Sequence, residues 1–193
     1  DFVNHVITYQ EKDKVFFFAN AEIRDDETPN PFDFGTYQGN STQEDLNELR
    51  RVLINDYGYN PGGFGDVNET LEGISLFGKV DINLNENHRL TLRHQYTKAE
   101  QNSPSSSNPR NIEFANSGVF FPSTTNSSAI ELNSTFGNKS SNNLIIGYTT
   151  VRDERDPIGG DFPYLRIRDG VGLIELGSEQ FSTANQLDQD IFT

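Results

Sequence analysis

The sequence predicts an all-β protein of long antiparallel strands, and three observations carry that expectation. Apolar and polar residues alternate strictly over several stretches of strand length. The connections between those stretches alternate between short and long. No apolar run approaches the length of a membrane helix, the longest being Val15 to Ala19.

The clearest alternation runs from Ile74 to Leu84. Ile74, Leu76, Gly78, Val80, Ile82 and Leu84 fall on one face, and Ser75, Phe77, Lys79, Asp81 and Asn83 on the other. Asn85-Glu86-Asn87-His88 supplies a turn, after which Leu90, Leu92 and Tyr96 oppose Arg89, Thr91, Arg93, Gln95 and Thr97. His94 and Lys98 interrupt that second apolar face. A second long hairpin pairs Ile130, Leu132 and Phe136 with Leu144, Ile146 and Tyr148 around a turn in Gly137 to Asn142. An earlier hairpin joins Phe2–Tyr9 to Lys14–Arg24 through Gln10 to Asp13, and a last strand starts near Gln186. The apolar sets should share one side of a single sheet, since a one-residue slip would reverse every side chain.

Long polar stretches separate these hairpins. Asp25–Thr70 contains one predicted helix, Ser41–Tyr57, in which Ser41-Thr42-Gln43-Glu44 has capping-box spacing. Leu46, Leu49, Leu53 and Tyr57 follow at helical intervals, and Gly58 ends the run. Glu100–Ser127, rich in Ser, Asn and Pro, reads as loop. Asp153–Asn185 contains the turn signal Asp169-Gly170 between two short β-prone runs. The three short turns should gather at one end of the sheet and the three long stretches at the other.

Composition narrows the function classes. Lys plus Arg total 15 against 29 Asp plus Glu, a net charge of −14, so a phosphate-tracking nucleic-acid binder is not expected. The absence of Cys removes disulfides, thiolate nucleophiles and thiolate metal sites. There are 21 Asn and 15 Ser, which raises the neutral polar share, while 15 Phe and 7 Tyr supply the aromatic content. A chain that starts at Asp1 is expected to begin inside a longer one.

Motif by motif, catalysis finds little support. Gly73 to Val80 nearly spells a phosphate loop, but Val80 stands where Ser or Thr should bind magnesium, and the segment lies within a strand. His5, His88 and His94 are scattered without a metal-binding partner spacing. Asp153, Asp156 and Asp161, with Glu154, offer hard oxygen ligands that could hold calcium. A solvated acidic loop with ion pairs to Arg152, Arg155, Arg166 and Arg168 is the plainer account. No catalytic residue and no other cofactor is expected. Tyr37, Tyr59 and Phe64, with Arg166 and Arg168, are the candidates for substrate contact from loops. Tyr57 is read as helix packing, and Tyr96 and Tyr148 as an aromatic girdle.

The segment Lys12-Asp13-Lys14-Val15-Phe16-Phe17-Phe18-Ala19-Asn20-Ala21-Glu22 resembles the early barrel strand of TonB-dependent outer-membrane receptors, in their Oar-like branch from bacteroidete-type bacteria. Gly177 to Asp190 resembles the approach to a later strand in that branch, and the Gly73–Tyr96 hairpin fits between them. A Gly-Gly-Pro element common before the first turn is replaced here by His5 to Gln10.

The resemblance implies a transmembrane outer-membrane β-barrel, of which residues 1–193 would be an internal segment of about seven strands. Complete receptors of this kind have about 22 strands and a plug domain. It further implies energy-coupled import of a bulky substrate without chemical conversion. The partners would be outer-membrane lipid, the TonB complex acting through the plug, and a substrate, with or without a surface lipoprotein. Lys79, Asp81, Arg89 and Arg93 would face the lumen. The residues alone also admit a soluble secreted β-domain that binds glycan or protein, and a surface hydrolase on a β-scaffold.

Overall fold

The computed structural model describes residues 2–11, 14–179 and 186–193. Lys12 and Asp13 of the first expected turn, and Gln180–Asn185 of the second resemblance segment, lie outside the described residues.

The main sheet follows from the alternating segments. Its strands are β1 (Phe2–Glu11), β2 (Val15–Asn30), β3 (Val67–Asn85), β4 (His88–Ser103), β6 (Val119–Phe136), β7 (Ser140–Asp153) and β11 (Leu187–Phe192). They pair in that order, each antiparallel to its neighbour, and β1 and β11 form the two edges of an open sheet. A two-residue strand, β8 (Asp156–Pro157), pairs with the start of β6. A second sheet is built from β5 (Asn111–Glu113), β9 (Leu165–Asp169) and β10 (Gly172–Leu176), with β10 in the middle.

Register decides which side chains share a face. Val15, Ile82, Leu90, Leu132 and Leu144 form one cross-strand row, and Phe17, Val80, Leu92, Ile130 and Ile146 the next. Directly opposed residues point the same way, so the apolar sets do lie on one face, with Asp81 and Thr91 paired on the other. Leu84 falls in a bulge between Asn83 and Asn85 and has no direct partner on β4.

This apolar face is not a core. Ile130 is 50% exposed and Ile146 57%, and Ile23, Leu76, Leu92 and Leu144 are also exposed. It ends at a row of carboxylates, Asp25, Glu72 and Glu100, directly beyond Ile23 and Ile74. The opposite face is knitted by polar contacts. Asp81 accepts from Thr91 Oγ1 at 2.5 Å and pairs with Lys79 at 2.9 Å and Arg89 at 3.2 Å. Glu131 accepts from the Asn133 and Asn143 amides at 2.9 and 2.8 Å. Phe18 and Phe77 break this polarity and meet edge to face at 5.9 Å.

The antiparallel order places the β1–β2, β3–β4 and β6–β7 reversals at one end and the three long connections at the other. The long connections are shorter than the sequence suggests. β2 runs to Asn30 and β3 begins at Val67, so much of Asp25–Thr70 is strand. Glu100–Ser127, expected as loop, instead completes β4, adds β5 and opens β6. Its Ser, Thr and Asn residues sit in a ladder whose backbone bonds need no apolar face, which is why the period was illegible there. The Asp169-Gly170 turn joins β9 to β10 as expected, with Gly170 at φ 64°.

Among the described residues the helix is α1 (Gln43–Tyr57). Its N-cap is Thr42 rather than Ser41: Asp45 N–H donates to Thr42 Oγ1, and the Asp45 carboxylate accepts from Thr42 N–H at 2.8 Å. Gly58 closes it at φ 67°, a conformation that suits glycine. That turn sends Tyr59 into the interior and leaves Tyr57 68% exposed, so the packing role expected of Tyr57 belongs to Tyr59.

Candidate functional site: a roofed vestibule on the polar face

The three long connections fold into one cap with its own core. The first supplies Leu46 and Leu53 from α1, with Tyr59 and Phe64; the second Ile112 and Phe114; the third Ile174 and Leu176 from β10. Leu49, Phe32, Phe34, Tyr37 and Phe162 pack around them. Phe162 stacks on Tyr59 at 4.0 Å, and Phe64 meets Phe114 edge to face at 5.5 Å. The buried apolar residues of the described chain all belong to this cap.

Backbone bonds lock the connections together. Ala115 N–H donates to Gly63 O at 2.7 Å, Leu173 N–H to Arg110 O at 2.9 Å, and Ile158 N–H to Gly118 O at 3.1 Å. Gly118 must be glycine, because a Cβ there would sit 2.1 Å from Ser103 O.

Two buried carboxylates anchor the cap. Asp169 accepts from Ser41 N–H and Tyr37 Oη, each at 2.9 Å. Burial pushes its pKa up, but these donors outweigh burial and hold the carboxyl below the usual range. Burial and the bond to Asp169 push the Tyr37 hydroxyl well above its ordinary value. Glu175 accepts from Tyr164 Oη at 2.7 Å and Arg166 Nε at 2.6 Å, and Asn111 Nδ2 bridges it to Glu113. Tyr164 is pushed up to about 12, by burial first and then by Glu175. Glu113 has no such cation among the described residues, and burial and then the charge of Glu175 raise its pKa.

Glu113 opens onto a cavity of about 880 Å³ between the cap and the polar face of the sheet. Gln101, Ser105, Phe121, Asp153 and Arg155 also line it. Register puts Gln101, Phe121 and Asp153 on the same face as Asp81 and Glu131. The Arg155 guanidinium lies 5.9 Å from the Phe121 ring centre, and its buried Nε has no hydrogen-bond partner among the described residues. Serine hydroxyls, amides, the carboxyls of Glu113, Asp153 and Glu179 and one guanidinium are suited to hold a polar, hydrogen-bonding ligand.

The substrate-contact candidates from the sequence do not converge on this cavity. Tyr59 and Phe64 are buried and Tyr37 is spent on Asp169, so all three serve the cap interior. Arg166 and Arg168 are exposed on β9. Of the calcium candidates, Asp153 accepts from Ser123 Oγ at 2.5 Å, Asp156 lies in β8, and Asp161 is exposed. No group of three or more His, Cys, Asp or Glu suited to a metal ion occurs among the described residues. Gln101, Ser105, Glu113 and Phe121 escaped sequence reasoning because they lie in the stretch read as loop; the Phe120-Phe121 pair within it was the available signal. Compared with protein-family models, curated proteins and solved structures, the chain matches none.

Proposed function

We propose that this chain is a barrel segment of a TonB-dependent outer-membrane receptor and that the vestibule is where its polar substrate is first held. The observation that carries the reading is the two-faced sheet. Its exposed apolar band spans Ile74 to Leu84 on β3, about the 9–11 residues a tilted strand needs to cross a bilayer. A carboxylate row bounds that band; on the same face Tyr96 stands in the Leu76 row toward this boundary, and Tyr148 in the Gly78 row at mid-band. The other face carries Lys79, Asp81, Arg89 and Arg93, as a water-filled lumen requires.

On this reading the edges of β1 and β11 are not free in the membrane. In lipid, unpaired backbone groups are too costly to persist, so further strands must continue the sheet on both sides. The cap then roofs the lumen at the outer surface. Energy for import would reach the substrate from the TonB complex through a plug domain, with or without a surface lipoprotein, and no chemical conversion is assigned.

The chain has no Trp, so an introduced Trp is a single reporter once every Trp elsewhere in the receptor is replaced by Phe. In the full receptor reconstituted with brominated lipids, Ile130→Trp fluorescence should be strongly quenched and Thr97→Trp, on the polar face, should not. Equal quenching at both sites, or none at either, would defeat the membrane reading. A monodisperse, detergent-free chain would instead favour a soluble secreted β-domain.

A further inference from the structure

Strand β9 is an open edge whose backbone and side chains together specify a partner. It lies outermost in the three-stranded sheet of the cap, bonded among the described residues only to β10. Leu173 N–H and Glu175 C=O point away from β9, bonding to Arg110 O and Phe114 N–H. In an antiparallel ladder the residues opposite them, Arg168 and Arg166, must also turn their N–H and C=O outward. Among the described residues none of these four groups has a partner.

The side chains alternate across this edge. Arg166 and Arg168 stand on one face, and Leu165 and Ile167, each 40% exposed, on the other at the margin of the cap core. Arg166 is tied to Glu175 while its side chain stays 60% exposed, and Arg168 has no ion-pair partner among the described residues. A chain of net charge −14 thus presents an open edge with two guanidiniums on one face and two half-covered aliphatic groups on the other.

We propose that this edge docks an extended segment of a partner protein in which acidic and apolar residues alternate, added as a fourth strand beside β9. Carboxylates would oppose Arg166 and Arg168, and apolar residues would cover Leu165 and Ile167. A second copy joined through the same edge does not fit. Pairing β9 with itself would keep the outward-bonding positions opposite one another and set Arg against Arg. The inference rests on the cap alone, so it stands or falls independently of the membrane reading.

The test uses the full chain in detergent and two fluorescein-labelled, end-capped hexapeptides, one alternating Glu with Val and one alternating Lys with Val. Anisotropy titration should show the Glu–Val peptide binding at least ~10-fold tighter, and less tightly as salt is raised. Arg168→Pro should abolish the binding, because it removes an outward donor while leaving the β9–β10 bonds intact. Arg168→Glu should lower the preference for the acidic peptide. In the unmodified chain, hydrogen exchange at the Arg166 and Arg168 amides should slow when the Glu–Val peptide is added. Equal affinity for the two peptides, binding that survives Arg168→Pro, or unchanged exchange at those amides would each overturn the proposal.

Discussion

Replacing Leu46 by alanine tests whether the cap is a cooperative unit separate from the sheet. Leu46 is 1% exposed and packs at the centre of the cap cluster, with Leu53, Ile112, Phe114, Ile174 and Leu176 among its members. Alanine is at least as good a helix former as leucine, so α1 loses nothing in propensity and the change reports packing. Truncating a fully buried leucine costs about 2–5 kcal/mol, most where the surroundings cannot collapse. Three chain segments fixed by backbone bonds leave little room to collapse, so about 4 kcal/mol is expected. At about 1.4 kcal/mol per decade, protection against exchange should fall roughly 1000-fold. Hydrogen-exchange mass spectrometry of the full chain should show that fall in α1, β5 and β10. The paired cores of β3 and β4, which share no buried apolar contact with the cap, should be unchanged. A matching loss in β3 and β4, or no loss in the cap, would refute the idea of a separate core.

Ionisation of the cap should give opposite pH signatures. Glu113 has a raised pKa, so its share of stability is present below the ordinary glutamate range and is lost as pH rises through the folded value. Glu113→Gln should therefore stabilise the cap at pH 8 relative to the parent and bring no gain at pH 4, read by exchange at both values. Asp169 has a lowered pKa, so its contribution is present above the ordinary aspartate range and lost as pH falls through the folded value. Asp169→Asn should weaken the cap by about 1.5–3 kcal/mol at neutral pH and remove that acid-side loss, measurable by the same exchange series. Thr42→Ala should cost about 1 kcal/mol through the capping box, and Gly58→Ala about as much through its left-handed φ; fraying of α1 in exchange data checks both.

Side-chain period and turn chemistry alone determined much of the main sheet. Ile74 to Leu84 and Arg89 to Tyr96 could only be two-faced strands, because their polar and apolar sets separate at period two. Asn85 to His88 and Asp169-Gly170 were legible as turns for the same local reason, and Gly58 as the end of the helix. Leu46 and Leu53 were legible as packing residues, but not what they pack against. Tertiary structure decided that three connections separated by whole hairpins share one core, since Ile112, Phe114 and Ile174 carry no local sign of meeting α1. It also decided that Tyr59 and Phe64 are buried in the cap, and that Gln101, Glu113 and Phe121 line one cavity with Arg155. Strand pairing beyond the apolar band rests on backbone bonds that any polar residue can make, so it leaves no period to read. A carboxyl such as Glu113 acquires its character only from what covers it, and a single sequence does not carry that information.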